Sequence, residues 1–177
     1  MAGVRTFVAV VPPPHVLAPL VAVTERLRGT YAASWVPAER LHVTLAFLGE
    51  VSEETAARVA DGLRETAAER AAFRLRLRGG GAFPRPERAK VLWAGLDGDV
   101  AALASLADAV RAERTPYVPH VTVARLRHGG DVTGAVDALD AVTSDEWVVD
   151  EVVLMRSVLG PKPSYEPLAR APLGYQA

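Results

Sequence analysis

Cysteine is missing altogether from the 177 residues. Its absence excludes disulfides, thiolate metal sites and a thiol nucleophile. No glycine-rich dinucleotide fingerprint and no P-loop occur. An H-E-x-x-H pair and a G-x-S-x-G elbow are also lacking. The N-terminal apolar run from Val4 to Val11 stops at three prolines, Pro12 to Pro14. It is too short for a membrane span, and no small-residue cleavage site follows it. The expectation is a soluble, cytoplasmic protein. Charge of one sign is lacking too, with 20 Lys and Arg against 21 Asp and Glu. A basic nucleic-acid coat is excluded, so any such partner is met locally, in a patch or pocket.

What remains is a chain that is 50% hydrophobic, enough for one packed domain over residues 1–177. The patterning predicts strands at Val4–Val11, Ser34–Val36, Arg40–Leu48, Phe73–Arg78, Lys90–Leu96, Pro119–Leu126, Trp147–Val158 and Tyr165–Leu173. Helices are expected at His15–Arg28, after the N-cap Ser52, at Val100–Ala112 and at Thr133–Ala141. Gly79-Gly80-Gly81 is read as a strand break and P-R-P-E-R from Pro84 as an exposed loop. The short connections favour hairpins, hence an α+β protein with antiparallel pairing, not a doubly wound parallel sheet.

Two of the four histidines fall in one repeated tetrapeptide: His42-Val43-Thr44-Leu45 and His120-Val121-Thr122-Val123. Strand alternation puts His42 and Thr44 on one face, roughly 6.5 Å apart, and Leu41, Val43, Leu45 and Phe47 on the other. The second copy divides the same way. Two imidazoles and two hydroxyls facing one cleft suit phosphate-ester chemistry. A neutral imidazole takes a proton from water while a protonated one gives a proton to the leaving oxygen. Threonine hydroxyls donate to phosphoryl oxygens. Which histidine does which is left open by the residues, and no metal is required. Zinc is disfavoured because neither tetrapeptide holds an acidic residue. The stripe Arg74, Arg76, Arg78 reads as a solvated sheet face, and Trp93 and Phe47 as core. His15 and His128 repeat no pattern.

These residues resemble the two-histidine phosphoesterases, defined by two H-x-[ST]-x motifs, and within them the RNA 2′,3′-cyclic phosphodiesterase (2′-5′ RNA ligase) family. The likeness rests on R-T-F-V-A-V at Arg5, W-V-P-A-E-R-L-H-V-T-L-A-F-L-G-E-V at Trp35, and V-L-W-A-G-L at Val91. It rests also on P-H-V-T-V-A-R at Pro119, and on V-D-E-V-V-L-M-R-S at Val149 with the later Tyr165-Glu166. It implies a bilobal fold with pseudo-two-fold symmetry, duplicated antiparallel sheets around a central cleft, and helices outside. Each lobe would contribute one motif. It implies cofactor-free hydrolysis of 2′,3′-cyclic phosphates on RNA ends or small nucleotides to 2′-phosphates. His42 would be general acid, His120 general base, and Thr44, Thr122 and Arg125 phosphate ligands. A monomer without an obligate protein partner is expected. Cleavage or ligation of 2′-5′ oligonucleotides, an ADP-ribose cyclic phosphate substrate, and a non-catalytic nucleotide- or RNA-binding module are the alternatives. Arg125 follows His120 by five residues, so ideal alternation turns it away from the cleft unless the strand bends or bulges. The connection Glu113–Val118 is shorter than the family's usual loop beside the cleft.

Overall fold

The structure, a computed structural model, describes residues 3–112 and 115–174. Glu113 and Arg114, in the connection Glu113–Val118, lie outside the described residues. Among those described there are nine strands and four α-helices. In chain order these are β1 (Val4–Val10), α1 (Pro14–Leu27), β2 (Ser34–Trp35), β3 (Val43–Val51) and α2 (Glu53–Ala68). Then come β4 (Phe73–Arg85), β5 (Arg88–Gly98), α3 (Val100–Val110), β6 (Val121–Gly130) and α4 (Thr133–Asp140). The chain ends with β7 (Trp147–Val149), β8 (Glu151–Val158) and β9 (Ser164–Pro172).

All nine strands join one antiparallel sheet in the order β7-β4-β5-β6-β3-β1-β8-β9, with β2 added to β6. The α+β antiparallel expectation holds, but the two halves are continuous. They meet where Val43 of β3 pairs with Val121 of β6. The order is symmetric about that junction, four strands to each side.

The expected strand Trp147–Val158 is two strands. β7 pairs with β4, and β8 pairs with β1, with Asp150 between them. In the sheet, β7 and β8 stand six strands apart, which is about 29 Å if flat. One residue cannot span that distance, so the sheet must curl until its ends approach. The curl makes one face concave.

Helices cover the other face. α2 starts at Ser52, whose hydroxyl accepts from the Thr55 amide at 3.1 Å, with Glu53 and Glu54 in the first turn. It buries Ala56, Ala60, Leu63 and Ala67, one helical stripe, on β1, β8 and β9. α4 packs on β4.

The glycine triplet does not break β4, which runs through it to Arg85 and turns directly into β5. Gly79 (φ 74°) sits in a bulge. A Cβ on Gly80 would lie 2.4 Å from Leu139 Cβ, and one on Gly81 would lie 2.3 Å from the Trp93 indole. Glycine is needed there for close packing, and the expected P-R-P-E-R loop is a tight hairpin turn. Arg74 and Arg76 pair with Glu146, and Arg78 with Asp97. No helix among the described residues is long and apolar enough to cross a membrane.

Candidate active site

The concave face holds a cleft of about 780 Å³, lined by His42, Thr44, His120, Thr122 and Arg125 together with β1, β2 and β9 side chains. The sheet places them. Val43 and Val121 are fully buried beneath the junction, which turns the flanking residues of both motifs to the opposite face. Stepping one residue either way from that antiparallel pair sets His42 across from Thr122 and Thr44 across from His120.

Both rings are held alike. His42 Nδ1 donates to the Arg40 carbonyl and His120 Nδ1 to the Val118 carbonyl, each at 2.7 Å. A carbonyl can only accept, so Nδ1 carries the hydrogen, and in the neutral ring Nε2 is left as an acceptor. His42 Nε2 lies 2.9 Å from Thr44 Oγ1, accepting from the hydroxyl when neutral. Aromatic rings fix each imidazole from the side. Phe7 (4.9 Å) and Tyr165 (5.3 Å) pack on His42, and Phe83 (5.0 Å) and Trp93 (6.0 Å) on His120.

Burial lowers the pKa of both imidazoles below the usual value, opposed by the carbonyl bonds. The Arg125 guanidinium lowers both further, and His42 also feels His120 and Arg40. Arg125 lines the same cleft as both rings, and Arg40 lines it beside His42.

Ideal alternation failed in both motif strands, for one reason. In β3 the partners of Val8 and Ala9 are Ala46 and Thr44, so Leu45 is an extra residue. In β6 the partners of Leu92 and Trp93 are Ala124 and Thr122, so Val123 is extra. Each bulge shifts the phase by one. Arg125 thereby lines the cleft. Phe47, expected in the core, is 64% exposed and lines the cleft as well. Trp93 packs on His120 without lining the cleft itself. His15 and His128 are exposed and outside the cleft.

Several residues have no repeat to single them out, although Arg5, Phe7, Trp35 and Arg40 sit in stretches that carry the family resemblance. Arg5, Phe7, Trp35 and Arg40 line the cleft without repeating any pattern. Tyr117 reaches across from the segment before His120, its hydroxyl donating to the Thr44 carbonyl at 2.7 Å. Its position three residues before the second motif was the one available hint. Among the described residues no group of three or more His, Cys, Asp or Glu is placed to hold a metal ion.

The 2′-5′ RNA ligase superfamily profile matches residues 12–161. A protein from Aeropyrum pernix named RNA 2′,3′-cyclic phosphodiesterase is 38% identical over 128 residues, 64% of this chain and 72% of that one. One of the same name from Archaeoglobus fulgidus is 32% identical over 173 residues, 93% and 97% of the two chains. The crystal structure of E. coli LigT complexed with 3′-AMP is 25% identical and superposes with a TM-score of 0.78, covering 99% of this chain and 100% of that one.

Proposed function

Because the chain belongs to the 2′-5′ RNA ligase superfamily, we propose that its cleft hydrolyses 2′,3′-cyclic phosphates of RNA ends or nucleotides to 2′-phosphates. The observation that carries this reading is the pair of imidazoles, each anchored through Nδ1 and each offering Nε2 to one cleft.

The residues divide the work as follows. Water attacks phosphorus while His120 Nε2, neutral, removes its proton. The bond from phosphorus to the 3′ oxygen breaks, and His42 Nε2–H protonates that oxygen. Each ring ends in the other's starting state, and exchange with solvent resets the pair. Thr44 and Thr122 hydroxyls and the Arg125 guanidinium take the non-bridging oxygens as charge builds. His42 is kept largely neutral by burial in the free protein. A bound phosphate anion favours its protonated form, so the acid is charged when substrate arrives. The exposed Phe47 ring offers a face for the base.

The test is incubation with the four nucleoside 2′,3′-cyclic monophosphates and an RNA ending in a cyclic phosphate. Formation of 2′-phosphates supports the scheme. A 3′-phosphate product would reverse the leaving oxygen. Nucleotide binding by calorimetry without any product would favour a non-catalytic binding module.

A further inference from the structure

Three guanidinium side chains line the cleft, Arg5, Arg40 and Arg125, and no carboxylate does among the described residues. They are not equivalent. Arg125 acts on both imidazoles and is accounted for by the reacting phosphate. Arg40 stands on the side of His42, its guanidinium 5.7 Å from the centre of the Tyr165 ring. Tyr165 in turn packs on Phe7 at 4.8 Å, and Phe7 on His42 at 4.9 Å. Arg5 lies two residues before Phe7 on β1, hence on the same face and roughly 6.5 Å further along the strand. Its cross-strand neighbour Glu50 packs its side chain on Gly3. Neither Arg5 nor Arg40 has an ion-pair partner among the described residues, whereas Arg74, Arg76 and Arg78 are paired.

We infer that Arg5 and Arg40 form a second anion subsite, beyond His42, for a phosphate on the 5′ oxygen of the nucleoside whose 2′,3′ side enters the catalytic pair. The inference rests on the proposed function and names the substrate class that the site prefers. Phe7 and Tyr165 both pack on His42, and the Arg40 guanidinium lies against the far member of that aromatic pair. Unpaired guanidinium groups in a cleft without carboxylates await an anionic partner, and planar donors match phosphate oxygens. A remote anchor such as Arg5 is felt equally in ground and transition states, so it lowers KM and leaves kcat alone, whereas Arg40 also lowers the His42 pKa and is judged by the binding ratio.

The test is a binding titration with adenosine 3′-monophosphate, adenosine 3′,5′-bisphosphate and the dinucleotide ApAp, on the wild-type chain, Arg5→Gln and Arg40→Gln. The wild-type chain is expected to bind a ligand with the 5′ phosphoryl group at least about tenfold more tightly than the monophosphate. Each substitution should cut that ratio to about threefold or less. The salt slope of its binding should become shallower by about 0.7 per lost contact. A gain already complete with the bisphosphate marks a terminal phosphate as the ligand, and a gain seen with ApAp alone marks the RNA backbone. A wild-type ratio near one, or a ratio that survives both substitutions, overturns the subsite. Turnover of the matching cyclic phosphates is measured in parallel. An intact binding ratio without turnover would defeat the proposed hydrolysis and leave the subsite standing.

Discussion

Tyr117→Phe removes one oxygen and tests what holds the two motifs in register. The halves of the sheet meet through the pair Val43–Val121. Tyr117 adds a second tie: its hydroxyl donates to the Thr44 carbonyl at 2.7 Å, and its chain leads through Val118, whose carbonyl holds His120. Burial pushes the phenol pKa well up, so the O–H donor persists across the working pH range. The Arg111 guanidinium lies 5.3 Å from the ring centre, a contact that phenylalanine keeps. The loss is then one hydrogen bond of about 0.5–1.5 kcal/mol, rising to about 2 kcal/mol if the Thr44 carbonyl finds no new partner. For a chain of this size Tm should drop by roughly 1–8 °C. The catalytic cost is separate. Looser imidazoles lower kcat, on the order of tenfold, with KM nearly unchanged, because positioning matters at the transition state. Thermal melts and steady-state kinetics on a nucleoside 2′,3′-cyclic phosphate read both. A variant with lowered Tm but wild-type kcat would show that the tie is merely structural and refute the reasoning.

His42→Ala and His120→Ala should each reduce turnover at least about 100-fold, and the double variant should lose far less than the product, since the pair acts as a unit; full activity in either single variant would remove the acid–base assignment. Burial lowers both imidazole pKa values, so the singly protonated pair of the free protein peaks on the acid side of about 6.5, and kcat/KM should do likewise. A profile still rising above neutrality would contradict this. The same shifts bear on stability. Below about pH 6.5 the unfolded chain binds more protons than the native one, so stability is present above that value and is lost as pH falls toward the lowered native values. Melts at about pH 7.5 and 5.5 should show this, with a flatter dependence in His42→Asn/His120→Asn. Gly80→Ala puts a Cβ 2.4 Å from Leu139 Cβ and should destabilise by about 1–3 kcal/mol in a denaturant melt; a neutral result would mean that α4 shifts freely on β4.

The sequence exposed the parts of the site that repeat. His42-Val43-Thr44 and His120-Val121-Thr122 stand out because a polar residue recurs at period two inside an apolar strand, and because it does so twice. Arg5, Arg40 and Tyr117 occur once each, on segments whose neighbours in space are far off in sequence, and no period marks them. The strand from Trp147 to Val158 was legible as β but not as two strands. An apolar run states that both faces are covered, not that Asp150 hands the chain from one end of the sheet to the other. Gly79–Gly81 misled for a related reason. Glycine in a strand can mean a break or a close approach, and only the positions of Leu139 and Trp93 decide between them.

The matching bulges give the duplicated frame its use. Without them, alternation would bury residue five after each histidine. With Leu45 and Val123 as the extra residues, both strands turn that position into the cleft. The frame delivers the same imidazole and the same hydroxyl from each half, which is what an acid and a base of equal reach require. It then delivers different groups at the fifth position, Phe47 from one strand and Arg125 from the other. Arg125 lowers the pKa of both rings, so in the proposed reaction it stands with the charge that develops between them. Phe47 carries no charge and stands 64% exposed, 6.3 Å from Phe7, so it belongs with a flat neutral group. In the proposed reaction the symmetric pair supplies the proton transfers, and the asymmetric fifth residue sets which way round a nucleotide lies.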